Sequence, residues 1–202
     1  MRILFLVFVL LLSFSAYSQD QILMLSGHVI EGNVTDHNRQ RITYDIEKKS
    51  GVKNLEVETY RVFSFTKNGK ETVLYQRDST IGNYLSVDEM RHFIYGAQDA
   101  MDNYKGRWAF FSGLGVGGVG GYFLGGVQGS FAVVAVPLVY PIVTSIHKIH
   151  PHESHVSHPD MINEPSYRTG YHKNTKSRRF FQALKGSLLG TVAGVSAYYA
   201  AN

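Results

Sequence analysis

The chain has 202 residues, enough for one domain of ordinary size with attachments, and it contains no cysteine, which excludes a disulfide framework and a lipid-bearing cysteine. The formal net charge is +4 but unevenly spread: from Asp20 to Tyr104 acids outnumber bases 13 to 10, while after Glu164 no acid occurs. The basic residues of that last part are Arg168, Lys173, Lys176, Arg178, Arg179 and Lys185, and the apolar segments around them favour a membrane-surface patch over a nucleic-acid site.

Met1 and Arg2 precede an apolar run from Ile3 to Leu12, and Ala16-Tyr17-Ser18 supplies a small-x-small cleavage pattern. This predicts a secretory signal peptide over 1–18, removed before Gln19. The run is too short to span a bilayer comfortably. Export without cysteine suits a bacterial periplasm or membrane. In that context the sequon Asn33-Val34-Thr35 carries no weight.

Residues 19–76 read as a small β-domain. Gln21–Leu25 is a short apolar strand, and His28–Thr35 continues it with Gly32 as a bend or bulge. Arg41–Glu47 alternates strictly, with Ile42, Tyr44 and Ile46 on one face. Lys48 to Asn54 reads as a polar loop, followed by strands over Leu55–Thr59 and Tyr60–Thr66. Lys67-Asn68-Gly69-Lys70 is a hairpin turn into Glu71–Gln76. Five or six short antiparallel strands predict a small barrel or roll, in an α+β chain whose helices follow.

Leu25-Ser26-Gly27-His28-Val29-Ile30-Glu31-Gly32-Asn33-Val34, Ile42-Thr43-Tyr44, Arg61-Val62-Phe63-Ser64-Phe65 and Asn68-Gly69 together resemble small SH3-like or Sm-like β-barrels in exported membrane proteins of Bacteroidetes-type bacteria. Pro165-Ser166-Tyr167-Arg168-Thr169-Gly170-Tyr171, followed by Lys176, is similar to a segment of the same group. The resemblance implies architecture and compartment and no known reaction.

Residues 77–107 form a connector. Ser86-Val87-Asp88-Glu89 is a capping box that starts an amphipathic helix. Its apolar stripe runs through Met90, Phe93, Ile94, Ala97, Ala100, Met101 and Tyr104; packing on the β-domain is the expected use, with Asp99 and Asp102 on a solvated face.

From Trp108 to Ile146 there is no charged side chain, and Gly113, Gly117, Gly121, Gly125 and Gly129 recur every fourth residue. A second series, Gly186, Gly190 and Gly194, lies near the C-terminus. Each glycine costs a helix in water about 1 kcal/mol relative to alanine. In lipid the backbone must satisfy itself, and small residues let helices approach. These stripes therefore predict glycine-rich transmembrane helices that self-associate through small-residue seams.

The length suits a hairpin over 108–147, from Trp108 to Val127 and Phe131 to His147, broken at Gln128-Gly129-Ser130. Pro137 and Pro141 should kink or shorten its second arm. A C-terminal apolar helix over 180–202 follows. The hairpin returns the basic segment to the exported side, against the positive-inside rule; a single crossing with a re-entrant part is the alternative. Gly115-Val116-Gly117-Gly118-Val119-Gly120 matches a dinucleotide fingerprint but lacks the strand and acidic residue that motif needs.

The loop over 148–179 with its approach gathers His147, His150, His152, His155 and His158, donors suited to zinc, copper or nickel. His152-Glu153-Ser154-His155 is one residue short of a zinc-protease motif. No nucleophile elbow, phosphate loop or carboxylate pair stands out. The sequence thus predicts a non-enzymatic binding or scaffold protein without a required cofactor. It is anchored in a membrane, with the β-domain in the periplasm of a Gram-negative bacterium. Its expected partners are membrane lipid, a second copy or another membrane protein, and no nucleic acid. Metal handling through the histidine loop is the alternative.

Overall fold

A computed structural model describes residues 20–127, 132–153 and 156–202. The signal peptide, the break with Gly129 and His155 lie outside them. Contacts divide the chain into two units, one ending at Tyr84 and one beginning at Leu85.

The first unit contains β1 (Gln21–Met24), β2 (Val29–Glu31), β3 (Asn33–His37), β4 (Arg41–Lys48), β5 (Gly51–Glu58), β6 (Val62–Lys67) and β7 (Lys70–Val73). They form two open antiparallel sheets, ordered β2-β1-β6-β7 and β3-β4-β5. The expected closed barrel is thus corrected. Gly32 ends β2 in one sheet and leads into β3 in the other, and no ladder among the described residues joins the sheets. A Cβ at Gly32 would stand 2.8 Å from the carbonyl oxygen of Asp45, so the chain turns there at a backbone contact that only glycine permits.

Both sheets feed one core: Ile22 and Met24 from β1, Val34 from β3, Ile42 and Tyr44 from β4, Val57 from β5, and Val62 and Phe65 from β6. Simple alternation cannot put Val62 and Phe65 together. The ladder shifts register between Leu23 and Met24, so Leu23 pairs with Ser64 and Met24 with Val62, leaving Phe63 as the extra residue of a bulge. Phe63 is fully buried and stacks on Tyr75 at 6.0 Å.

Asn68 and Gly69 take positive φ angles of 53° and 77° in the β6–β7 turn, the geometry a two-residue hairpin needs. A second tight hairpin joins β4 and β5, pairing Lys48 with Gly51. The sequence suggested a loop there because Val52, Lys53 and Asn54 bury neither face.

Asp20 locks this unit. Its buried carboxylate accepts the Val34 amide at 3.1 Å and the Asn68 amide at 3.0 Å. One side chain thereby joins β3 to the β6–β7 turn. Hydrogen bonds to a charged group contribute about 1.5–3 kcal/mol each. Asp20→Ala should lower the stability of the β-unit by about 2–4 kcal/mol in a urea titration followed by circular dichroism. An unchanged midpoint would refute this role.

The second unit holds α1 (Val87–Asn103), α2 (Arg107–Gly125), α3 (Ala132–Ile146) and α4 (Pro165–Ala201). The capping box is present: Ser86 Oγ accepts the Glu89 amide, and Glu89 Oε2 accepts the Ser86 amide at 2.7 Å. Helix α4 spans 37 residues and begins at Pro165, well inside the expected loop. Its early part buries Tyr167, Gly170, Tyr171 and Thr175, a helical spacing masked in sequence by the intervening polar residues. That part of α4 meets the apolar stripe of α1: Gly96 abuts the carbonyl of Tyr167, and Gly170 abuts that of Phe93.

Among the described residues no helix is long and apolar enough to cross a membrane. This corrects the expected transmembrane helices and, with them, the expected anchoring in a membrane. The 15 residues of α3 extend only about 22 Å, against roughly 30 Å of hydrocarbon. In α2, glycines stand where apolar side chains would supply hydrophobicity. Helix α4 carries Gln182 and Lys185 within its apolar part.

Candidate functional site

The glycine series meet each other inside one chain. Gly113, Gly117, Gly121 and Gly125 of α2 face Ala183, Ser187, Thr191 and Val195 of α4 in that order. Partners that advance in step mean parallel helices. The contact is reciprocal, with Gly186, Gly190 and Gly194 set against the carbonyls of Phe110, Leu114 and Gly118. Each helix thus lays its glycine stripe on the other's backbone, and α1 repeats the arrangement upstream with Gly96 and Gly170. A Cβ at Gly113 would stand 2.6 Å from the Ala183 carbonyl oxygen. Such proximity brings Cα–H groups to carbonyl oxygens and maximises dispersion between backbones.

Helix α3 covers part of this pair. Its two prolines lie inside the helix and are buried. Pro141 cannot donate the amide that would bond the Pro137 carbonyl; the Ser187 hydroxyl reaches that carbonyl instead, at 3.5 Å. Tyr140 donates to Ser112 Oγ at 2.6 Å. Arg179 of α4 donates to the carbonyls of Thr144 and His147 at 3.0 and 3.1 Å. It places a cation at the C-terminus of α3, where the helix dipole favours one. Arg178 donates to the carbonyl of Tyr104 at 2.9 Å. These arginines therefore serve internal carbonyls, whereas the sequence suggested a membrane interface.

With small residues inside, the large ones face outward. Trp108 is 74% exposed, Phe123 71% and Val192 66%, and Phe111, Leu138, Ile142 and Leu189 are also exposed. So many large apolar side chains left exposed mark an interaction face.

The described histidines do not converge. His158 stacks on Tyr95 at 4.3 Å, and His150 sets its ring edge-on to His172 at 5.9 Å. His147 enters through its carbonyl alone, and His152 is exposed. Among the described residues no group of three or more His, Cys, Asp or Glu is placed to hold a metal ion. Burial, followed by the charges of His150, Lys148 and Arg168, pushes His172 below the usual histidine range.

The polar centre of the unit is Asp99, only 1% exposed. It accepts the Tyr167 hydroxyl at 2.6 Å and the Ser157 amide at 3.0 Å, with His158 Nδ1 at 3.4 Å. Burial alone would raise its pKa. The hydrogen bonds from Tyr167, Ser157 and His158 outweigh that and hold it below the ordinary carboxylate value. Tyr167 is pushed upward, first by burial and then by its bond to Asp99 and that residue's charge. Tyr95, Asp99, Ser157, His158 and Tyr167 thus tie α1, α4 and the segment before α4 together. Asp99 looked solvated in sequence because its partners come from elements far along the chain. The Tyr167–Gly170–Tyr171 spacing is the signal that exposes the covering helix.

No family model, characterised protein or solved structure matches this chain.

Glycines of this helix pair should respond oppositely to alanine according to what they face. Gly117→Ala and Gly190→Ala meet opposing backbone and should each cost about 1–3 kcal/mol, measured by urea titration. Gly115 has nothing within 4 Å, and Gly115→Ala should stabilise by about 0.5–1 kcal/mol. The same sign at all three would contradict the seam. For Asp99, a lowered folded pKa means its stabilisation is present above its ordinary value of 3.8 and disappears as pH falls through the folded value. Asp99→Asn should cost about 2–4 kcal/mol at neutral pH. It should also flatten the acid limb of a stability–pH profile, and a parallel profile would exclude the linkage.

Proposed function

We propose that this chain is a non-enzymatic binding or scaffold protein whose helical unit assembles with a second copy through its outward apolar faces. The observation that carries the reading is the inversion of the helical unit, with glycine, alanine, serine and threonine at the helix contacts and Trp108, Phe123, Leu138, Ile142 and Val192 exposed. An exposed face of this kind is unfavourable in water at about 25 cal/mol per Å². A stable interface covers roughly 800 Å² on each partner.

The second copy is the occupant of choice because the faces of α2 and α3 come from a stretch without a charged side chain. Such a face offers a charged partner no complement, while an identical face fits it in a closed, self-complementary contact. The glycine seams are already occupied within the chain, so association falls to the large outer side chains. The β-unit, with its polar outer strands, then serves as the displayed binding module.

Sedimentation equilibrium of the full chain tests this. The wild type should form a dimer or larger closed assembly at micromolar concentration, and Phe123→Glu with Val192→Glu should yield a folded monomer. A monomeric wild type, with or without attachment to lipid vesicles, contradicts the proposal.

A further inference from the structure

A basic cleft of about 530 Å³ opens where α1 hands over to α2, lined by Lys105, Arg107, Ser177, Arg178, Phe181, Gln182 and Lys185. We propose that it is a binding site for a phosphate-bearing anion, a phosphomonoester or polyphosphate group. The lining contains four cationic side chains and no carboxylate. Among the described residues Lys105, Arg107 and Lys185 take part in no ion pair; those that form, such as Arg41–Glu56, Arg61–Glu58 and His158–Asp99, lie elsewhere. Like charges held around one concavity repel, and a multiply charged anion relieves that repulsion while gaining attraction from each.

The fold builds this cleft from two sides. On α4, Arg178, Gln182 and Lys185 follow at helical spacing and share one face, with Ser177 and Phe181 beside them. Opposite them the chain passes through Gly106, whose φ of 63° is left-handed and whose Cβ position lies 3.4 Å from Gln182 Cγ. This glycine lets Lys105 and Arg107 flank α4 closely. Helix α2 starts at Arg107 without a side-chain cap, so its first amides add positive potential to the same end.

The chemistry of the lining separates phosphate from a general anion. Arg107 and Arg178 offer planar forks that match two oxygens of a tetrahedral phosphate. One nitrogen of Arg178 is held by the Tyr104 carbonyl at 2.9 Å, which orients that guanidinium. Lys105 and Lys185 supply mobile point charges, and Ser177 and Gln182 supply neutral donors. The volume exceeds one phosphate and suits two linked groups or one phosphate with its ester.

Isothermal titration of the full chain with pyrophosphate, and co-sedimentation with neutral vesicles carrying phosphatidic acid, distinguish a soluble source from a headgroup source. The inference expects saturable binding to at least one probe. That binding should weaken with ionic strength and fall at least tenfold in Lys105→Gln with Lys185→Gln. Lys70→Gln, a charge removed from the β-unit, should bind as wild type. Arg107→Gln gives a second, independent lesion in the cleft, and all variants are exposed positions whose folding circular dichroism checks. Binding to neither probe overturns the proposal. So does equal binding of sulfate and pyrophosphate, or affinity lost equally in Lys70→Gln.

Discussion

The helical unit depends on how closely two parallel helices can approach. Across the seam there is no side chain on one surface and a bare carbonyl on the other, so separation is set by backbone against backbone. A single methyl group is then a steric event, whereas at an ordinary helix contact it is an adjustment. The reciprocal placement of Gly117 against Ser187 and Gly190 against Leu114 makes the contact nearly two-fold within one chain. α1 with α2 behaves as one broken rod and α4 as the other. The break at Tyr104-Lys105-Gly106 is what creates both the left-handed glycine and the cleft beside it.

The seam also dictates what is left outside. Small residues consumed by the helix contact leave Trp108, Phe111, Phe123 and Leu189 no interior to enter. Polar groups are handled by specific pairing: Arg179 closes α3, Ser187 serves the carbonyl orphaned by Pro141, and Tyr167 with Ser157 satisfies Asp99. The α2–α4 contact is therefore held by backbone proximity and a few buried hydrogen bonds, while α1 also buries Met90, Phe93, Ile94 and Ala97. The β-unit is built the other way, around Ile22, Ile42, Val34 and Val62.

Much of this was legible where the signal is local. The Asn68-Gly69 turn, the alternation of Arg41–Glu47 and the Ser86 capping box each follow from a few adjacent residues and their geometry. The four-residue glycine period announced a close-packed helix face, and the second series at Gly186, Gly190 and Gly194 offered its counterpart, but the same pattern invited a lipid environment. Spans and apolarity decide that question, and α3 is short while α2 is diluted by glycine. Barrel closure was illegible because it depends on pairing between strands distant in sequence, and the bulge at Phe63 breaks the alternation such a reading uses. Asp99 was missed for a related reason: its environment is made by Ser157 and Tyr167, residues no window around α1 contains.

Because the chain has no cysteine, paired spin labels at introduced cysteines can report the central feature, the parallel intrachain seam. Val119 and Leu189 are exposed and lie at the same level of the pair, and Lys173 lies 16 residues before Leu189 on the same helix. Pulsed electron resonance should give a shorter distance for 119–189 than for 119–173, whose sites are offset by about 24 Å along the axis. Both distances should survive dilution with unlabelled protein. A shorter 119–173 distance, or loss of the 119–189 signal on dilution, would contradict the parallel seam within one chain.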